Sequence, residues 1–372
     1  MYRPQNLRIP GPTFVPQSVL AASARPLINH RGPEFAALLA ALTRALQDFL
    51  RTEHDVLILT ASGSGAMEAA IANTLSSGDK VLACDELAKE KGKDGAKAVL
   101  LTHNETSTGV LNPVKDIAAV VRESGKLLLV DSVSGAGCSE LEIDEWGIDV
   151  CVTASQKAWG APPGVSMITM GPRAWKAYEK SNLPKAYFDL GSYKASLEKA
   201  QTPATPAVTV FIALQESLRL MAEEGLEAII RRHRHLARAT RRGLQAVNLQ
   251  LFADERYASP AVTAFRPPAR VDARNLIRIL RDEHDTIVAG GQGKMEGQLV
   301  RVAHLGFVTL QDIVAFFSAL ELTLRDLNQP VEPGIAISAA LRTYAESTQQ
   351  QSSRPAARAA SRPAADPVAT RR

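Results

Sequence analysis

Cysteine is scarce in this chain, with only Cys84, Cys138 and Cys151. They lie far apart, show no metal-ligand spacing and leave one thiol over in any pairing, so neither a disulfide framework nor a zinc site is indicated and a reduced, cytoplasmic setting is expected. Long apolar runs are also missing. None approaches the ~20 residues that a membrane-spanning helix needs, and Met1-Tyr2-Arg3-Pro4-Gln5-Asn6 lacks the apolar core of a secretion signal. Net charge is small, +4 overall. It is also local: residues 341–372 hold Arg342, Arg354, Arg358, Arg362, Arg371 and Arg372 against Glu346 and Asp366, which leaves the rest neutral overall. That distribution argues against nucleic acid as the main partner. The end of this segment, from about residue 347, is rich in Ala, Pro, Arg, Ser and Gln without apolar periodicity and is expected to be disordered. Finally, no Phe, Trp or Tyr occurs between Phe49 and Trp146.

The composition is otherwise that of a globular protein, 45% hydrophobic and 22% charged over 372 residues, long enough for more than one domain. Strands are expected at 56–60, 80–83, 98–102, 126–130, 150–153 and 165–170, with helices between several of them. A helix over 34–50 places Phe35, Leu38, Leu39, Leu42 and Leu46 on one face. This alternation predicts an α/β fold with a mostly parallel, doubly wound sheet, whose ligands gather at the carboxyl ends of the strands. A long helical region from about 205 to 247 carries a basic, solvated face. Strands at 262–265, 287–289 and 299–303, with helices at 271–282 and 309–327, suggest a smaller C-terminal α+β domain, its last helix capped by Thr309 and Asp312. The expected organisation is an irregular arm over 1–30, a large domain over 31–245, a small one over 246–330 and an extension over 331–372.

The most informative stretch is Val150-Cys151-Val152-Thr153-Ala154-Ser155-Gln156-Lys157-Ala158-Trp159-Gly160-Ala161-Pro162-Pro163-Gly164. A β-branched run ends at a Gly/Pro-rich turn, so Lys157 sits just past a buried strand. Desolvation there lowers an amine's pKa and suits it to Schiff-base chemistry; an isolated lysine at a sheet rim more commonly snorkels to water. Other residues supply partners for an imine. Asp131 closes the apolar run Leu127-Leu128-Leu129-Val130, where its carboxylate would pair with a pyridinium or cap the next turn. Ala61-Ser62-Gly63-Ser64-Gly65 joins a strand to a helix, an arrangement that aims backbone N–H groups at an anion. Arg301 falls inside a late strand, where an unpaired guanidinium would be costly and a carboxylate would be gripped in two places.

Ser155-Gln156-Lys157-Ala158 with Ala161-Pro162-Pro163-Gly164, His103-Asn104-Glu105-Thr106-Ser107-Thr108-Gly109 and Asp131-Ser132-Val133-Ser134 together resemble the class V, fold-type I aminotransferases that depend on pyridoxal 5'-phosphate. Within them the resemblance is to the alanine–glyoxylate and serine–glyoxylate (serine–pyruvate) branch, and it runs from about 11 to 327. It implies that Lys157 forms the internal aldimine and carries protons, while Asp131 pairs with the pyridine nitrogen. Ser64, Gly65 and Ala66 would lie at the cofactor phosphate, Ala66 where some relatives have histidine, with Gln156 nearby. Thr106 would lie beside the ring hydroxyl, and Arg301 would take the substrate carboxylate. Thr205 matches a position that reaches the phosphate of a neighbouring subunit, which implies a homodimer with shared sites. The activity implied is transfer of an amino group from serine or alanine to glyoxylate or another small 2-oxo acid, by a ping-pong route.

One departure stands out. The family places a Gly-x-aromatic-Gly-x-Arg turn, whose aromatic stacks on the cofactor ring, in the region that is shortened here to 80–101. An impaired or non-enzymatic homologue is therefore the alternative. A cysteine desulfurase-like lyase would need a mobile cysteine, which three cysteines in or beside strands do not suit.

Overall fold

The computed structural model describes residues 5–83, 95–329 and 331–352. Six strands form the main sheet, in the spatial order Asp55–Leu59, Ser166–Met170, Val150–Ala154, Leu127–Asp131, Ala96–Thr102, Lys80–Ala83. Ser166–Met170 is antiparallel to both of its neighbours, and the remaining ladders are parallel. The central strands are buried on both faces, as their unbroken apolar runs require: all five residues of Val150–Ala154 are buried, as are Leu127, Leu128, Leu129 and Val130. Helix Pro33–Leu50 covers one side with Phe35, Leu38, Leu39, Leu42 and Leu46, and helix Gly63–Thr74 packs its alanines on the other. Parallel strands need crossovers, and residues 84–94, between the two strands at one edge, lie outside the described residues.

A second, three-stranded antiparallel sheet pairs Val262–Phe265 and Ala289–Gly290 with the middle strand Val300–Ala303. It packs on helices Ala273–Asp282 and Leu310–Asp326 around Phe265, Phe316 and Phe317. The capping box expected at Thr309 and Asp312 is formed. Helix Leu226–Ala246 serves both cores, giving Ile229 to the first and Leu236, Ala239 and Leu244 to the second.

Four local expectations are corrected. The opening is not wholly irregular: Asn6–Leu7 pairs in parallel with Thr286–Ile287, and a helix, Gln17–Ser23, starts directly after Pro16 and buries Val19 and Ala22. Proline disfavours helix interiors but is compatible with their starts. The helical region from 205 splits at Gly225 into Val208–Glu224 and Leu226–Ala246. The strand expected at 287–289 divides into two-residue pieces with different partners. Disorder from 347 does not hold for residues 347–352, which close helix Ile335–Ser352. This helix lies along Leu226–Ala246, with Ala336 and Ala340 fully buried, and Glu321 accepts the N–H groups of Gly334 (2.6 Å) and Ala336 (2.8 Å) at its start. Residues 353–372 lie outside the described residues. Among the described residues no helix is long and apolar enough to cross a membrane.

Candidate active site

Register brings the strand ends together. Thr102 pairs with Asp131, and Asp131 with Val152, so three consecutive parallel strands release their loops side by side. The loop after Val150–Ala154 is drawn tight by main-chain bonds from Gly160 to Lys157 (3.0 Å) and from Ala161 to Ser155 (3.0 Å), and by the Ser155 hydroxyl donating to the Pro162 carbonyl (2.7 Å). It delivers the Lys157 side chain to a partly buried position, where Nζ donates to the Pro10 carbonyl at 2.7 Å. Burial pulls the Lys157 pKa below the ordinary lysine value; the Asp131 carboxylate opposes this, and the Arg301 guanidinium adds to it.

Asp131 is the reciprocal case. Burial raises its carboxyl pKa, the Val133 N–H on Oδ1 (2.9 Å) resists, Glu105 pushes further up, and Lys157 pulls down. Lys157, Asp131, Glu105 and Arg301 therefore share one electrostatic neighbourhood. Beneath Asp131 lies fully buried His103, whose backbone N–H donates to the Asp131 carbonyl (2.8 Å) and whose Nδ1 meets the Ser132 hydroxyl (2.8 Å). Burial brings the His103 pKa down to about 4, so its ring is neutral at neutral pH. The sequence offered no role for Glu105 or His103; both fall inside the motif after the strand, which was the signal available.

The Gly/Ser turn folds as its composition suggests. Ser62 caps helix Gly63–Thr74 by accepting the Gly65 N–H (3.2 Å), and the first N–H groups of the helix, at Gly63 and Ser64, have no intrahelical acceptor. The turn touches the Asp131 loop directly: a Cβ on Gly63 would lie 2.6 Å from Val133 Cγ2, and one on Gly65 would lie 3.1 Å from the Phe188 ring. Ala66 is fully buried behind it. Gln156, preceding Lys157, buries its Oε1 without a hydrogen-bond partner. An unsatisfied buried amide, free helix N–H groups and a desolvated lysine facing a carboxylate fit a cofactor with an aldehyde, a ring nitrogen and a phosphate.

Beside Asp131 lies a cavity of about 560 Å³ that Thr102, Glu105, Met67 and Ala83 help to line. No aromatic residue lines it among the described residues. The expected place of the ring-stacking turn is 80–101, and its central part, 84–94, lies outside the described residues.

Arg301 is not unpaired. It is 5% exposed and donates from Nε to the Gly290 carbonyl (2.7 Å) and from Nη1 to the Thr106 carbonyl (2.8 Å). Thr106 thus enters the site through its main chain. Thr205 is exposed, with its hydroxyl 3.4 Å from His30 Nε2. Arg31 binds the Thr202 and Pro203 carbonyls, and His304 is fully buried, held by the Thr263 hydroxyl and the Pro260 carbonyl. Cys138 and Cys151 are buried. Burial pushes the Cys138 thiol up to about 12 and raises that of Cys151, which removes both as nucleophiles; Cys84 lies outside the described residues.

A mixed, mostly parallel sheet of this order, with its loops converging on a lysine, defines a fold-type I pyridoxal phosphate-dependent transferase. The chain belongs to the class V aminotransferase family, whose pattern matches residues 51–304, and is a pyridoxal phosphate-dependent transaminase. It is similar to the soluble hydrogenase small subunit of a Synechococcus species, at 42% identity over 90% of this chain and 97% of that one. It is also similar to the L-aspartate–glyoxylate aminotransferase of Paracoccus denitrificans, at 32% identity over 91% and 96%. The crystal structure of ureidoglycine–glyoxylate aminotransferase from Bacillus subtilis superimposes with a TM-score of 0.87 at 26% identity, covering 93% of this chain and 99% of that one.

Proposed function

We propose that this aminotransferase moves an amino group from a small amino acid, serine or alanine, to glyoxylate or another small 2-oxo acid in two ping-pong half-reactions, as a homodimer with shared sites. The observation that carries the reading is the meeting of Lys157, Asp131 and Arg301 in one partly desolvated space. Pyridoxal phosphate, when bound, supplies an aldehyde for amines and a protonated ring that draws electrons from the substrate Cα. Lys157 is the amine that would hold its aldehyde carbon and carry the proton at the substrate Cα. Asp131 would keep the ring nitrogen protonated, and Ser64, Gly65 and Gln156 would hold the phosphate, with Thr106 beside the ring. Thr205 reaches the phosphate of a partner subunit.

Arg301 grips the substrate carboxylate. Glu105 beside it disfavours a second carboxylate in the donor, which supports serine or alanine here although a relative is named for aspartate. The large domain spans 31–245 and the small one 246–330. Titration with pyridoxal phosphate, then with serine, alanine, aspartate and glyoxylate, tests the reading by absorbance. Absence of a visible band, or transamination that survives Lys157→Ala, refutes it, and turnover faster with aspartate than with serine or alanine refutes the donor assignment.

A further inference from the structure

Residues 6–13 run from a two-stranded ladder joined to the edge of the second sheet to the lysine loop. At one end Asn6 and Leu7 pair with Thr286 and Ile287, the Arg8 N–H donates to the Ile287 carbonyl (2.7 Å), and the Arg8 carbonyl accepts from Ala303 (2.8 Å), on the strand that carries Arg301. At the other end Thr13 bonds twice to the loop: its N–H to the Gln156 carbonyl (3.0 Å) and its hydroxyl to the Lys157 carbonyl (2.8 Å). Between these anchors the segment lies against the lysine itself. The Pro10 carbonyl accepts from Nζ at 2.7 Å, and a Cβ on Gly11 would lie 2.7 Å from Nζ and 2.9 Å from Cδ and Cε. Gly11 has φ +145°, so both its backbone and its surroundings call for glycine.

A transaminase lysine is freed and re-bonded in every cycle. Between those events a long, flexible ammonium stem has many rotamers to choose from, and a fixed resting place shortens its return. We propose that Pro10 and Gly11 are positioning residues for Lys157: the Pro10 carbonyl holds the freed amine in one place, and the missing side chain at 11 keeps open the lane in which the stem lies. This rests on the assignment of Lys157 made above. The contact bridges both sheets, so it ties the amine's resting place to the strand bearing Arg301.

The test is competitive acetylation with acetic anhydride of the folded chain without added cofactor, read as the ratio of modification at Lys157 to that at exposed Lys176. Gly11→Ala is expected to raise this ratio at least fivefold, with near-ultraviolet circular dichroism unchanged, and to slow the capture of added pyridoxal phosphate on Lys157, trapped by borohydride and located by mass spectrometry. Gly78→Ala, at φ +85° with nothing within 4 Å of the new Cβ, controls for backbone strain alone and should leave the ratio as it was. If Gly11→Ala does not fold, Thr13→Val loosens the same segment without adding bulk and should raise the ratio at least twofold. A folded Gly11→Ala protein, or that substitute, whose ratio is unmoved overturns the positioning role even when the cofactor attaches to Lys157. Attachment to a different lysine in the unsubstituted protein overturns the assignment of Lys157, and this role with it.

Discussion

Arg301 donates from Nη1 to the main-chain carbonyl of Thr106, 2.8 Å away and 195 residues earlier in the chain. The bond joins the second sheet to the loop that follows strand Ala96–Thr102, and with the Gly290 carbonyl it aims the guanidinium before any substrate arrives. Arg301→Lys keeps a charge but loses this fork. On the proposed role, kcat/KM for glyoxylate should fall by about 2 kcal/mol or more, roughly thirtyfold, with most of the loss in KM. Steady-state kinetics with both substrates varied would check it.

Asp131 sets function against stability. Its folded-state pKa is raised, chiefly by burial, so the protein holds that proton more tightly when folded and loses stability as pH rises through the folded value. Asp131→Asn keeps an acceptor for the Val133 N–H and removes the buried charge. Thermal melting of the cofactor-free protein at pH 7 should therefore show a higher Tm, while transamination falls at least a hundredfold.

Acid should unfold the protein through its histidines. His103 is held near 4 and His233 near 3 by burial, and His233 Nε2 accepts the Gly306 N–H (3.1 Å) while Nδ1 meets the Ile229 carbonyl (2.7 Å). Both pKa values are depressed, so the folded state binds fewer protons, and the stability present above about 6.5 is lost as pH falls. Each histidine contributes a slope of up to about 1.4 kcal/mol per pH unit between 6.5 and 4. Urea unfolding at stepped pH should show this slope, and His103→Gln should flatten it by about one proton.

Gly243 tests packing away from the chemistry. It faces the Phe317 ring so closely that a Cβ would lie 2.2 Å from Cζ. Gly243→Val overpacks the second core and should cost about 1–3 kcal/mol, seen as a lower denaturation midpoint, with KM for both substrates within twofold of the unsubstituted protein.

The buried strands were legible because apolar runs bounded by Gly, Pro and Ser have few other solutions, and the lysine, the carboxylate and the Gly/Ser turn stood at their ends. Interactions between distant segments were not. Nothing near Arg301 in sequence announces the Thr106 carbonyl, and nothing near Lys157 announces Pro10. Helix Ile335–Ser352 escaped notice because its buried face is made largely of alanine, Ala336 and Ala340, which gives little periodic contrast, and because its start is capped by Glu321 from another helix. The two-residue strands carry no periodicity at all. Glu105 and His103 looked like parts of a loop motif until the register of the three parallel strands placed them beside and beneath Asp131.

The contact between Pro10 and Lys157 spans 147 residues of chain, and that between Arg301 and Thr106 spans 195. Contacts of such separation form late and slowly. During synthesis the lysine loop emerges long before residues 285–303, and until Asn6 to Arg8 pair with 285–287 the segment holding the amine has only its Thr13 anchor. A nascent chain stopped short of residue 285 would thus hold a folded sheet with a loosely placed lysine, and competence for catalysis would arrive late, once residues 285–303 are in place.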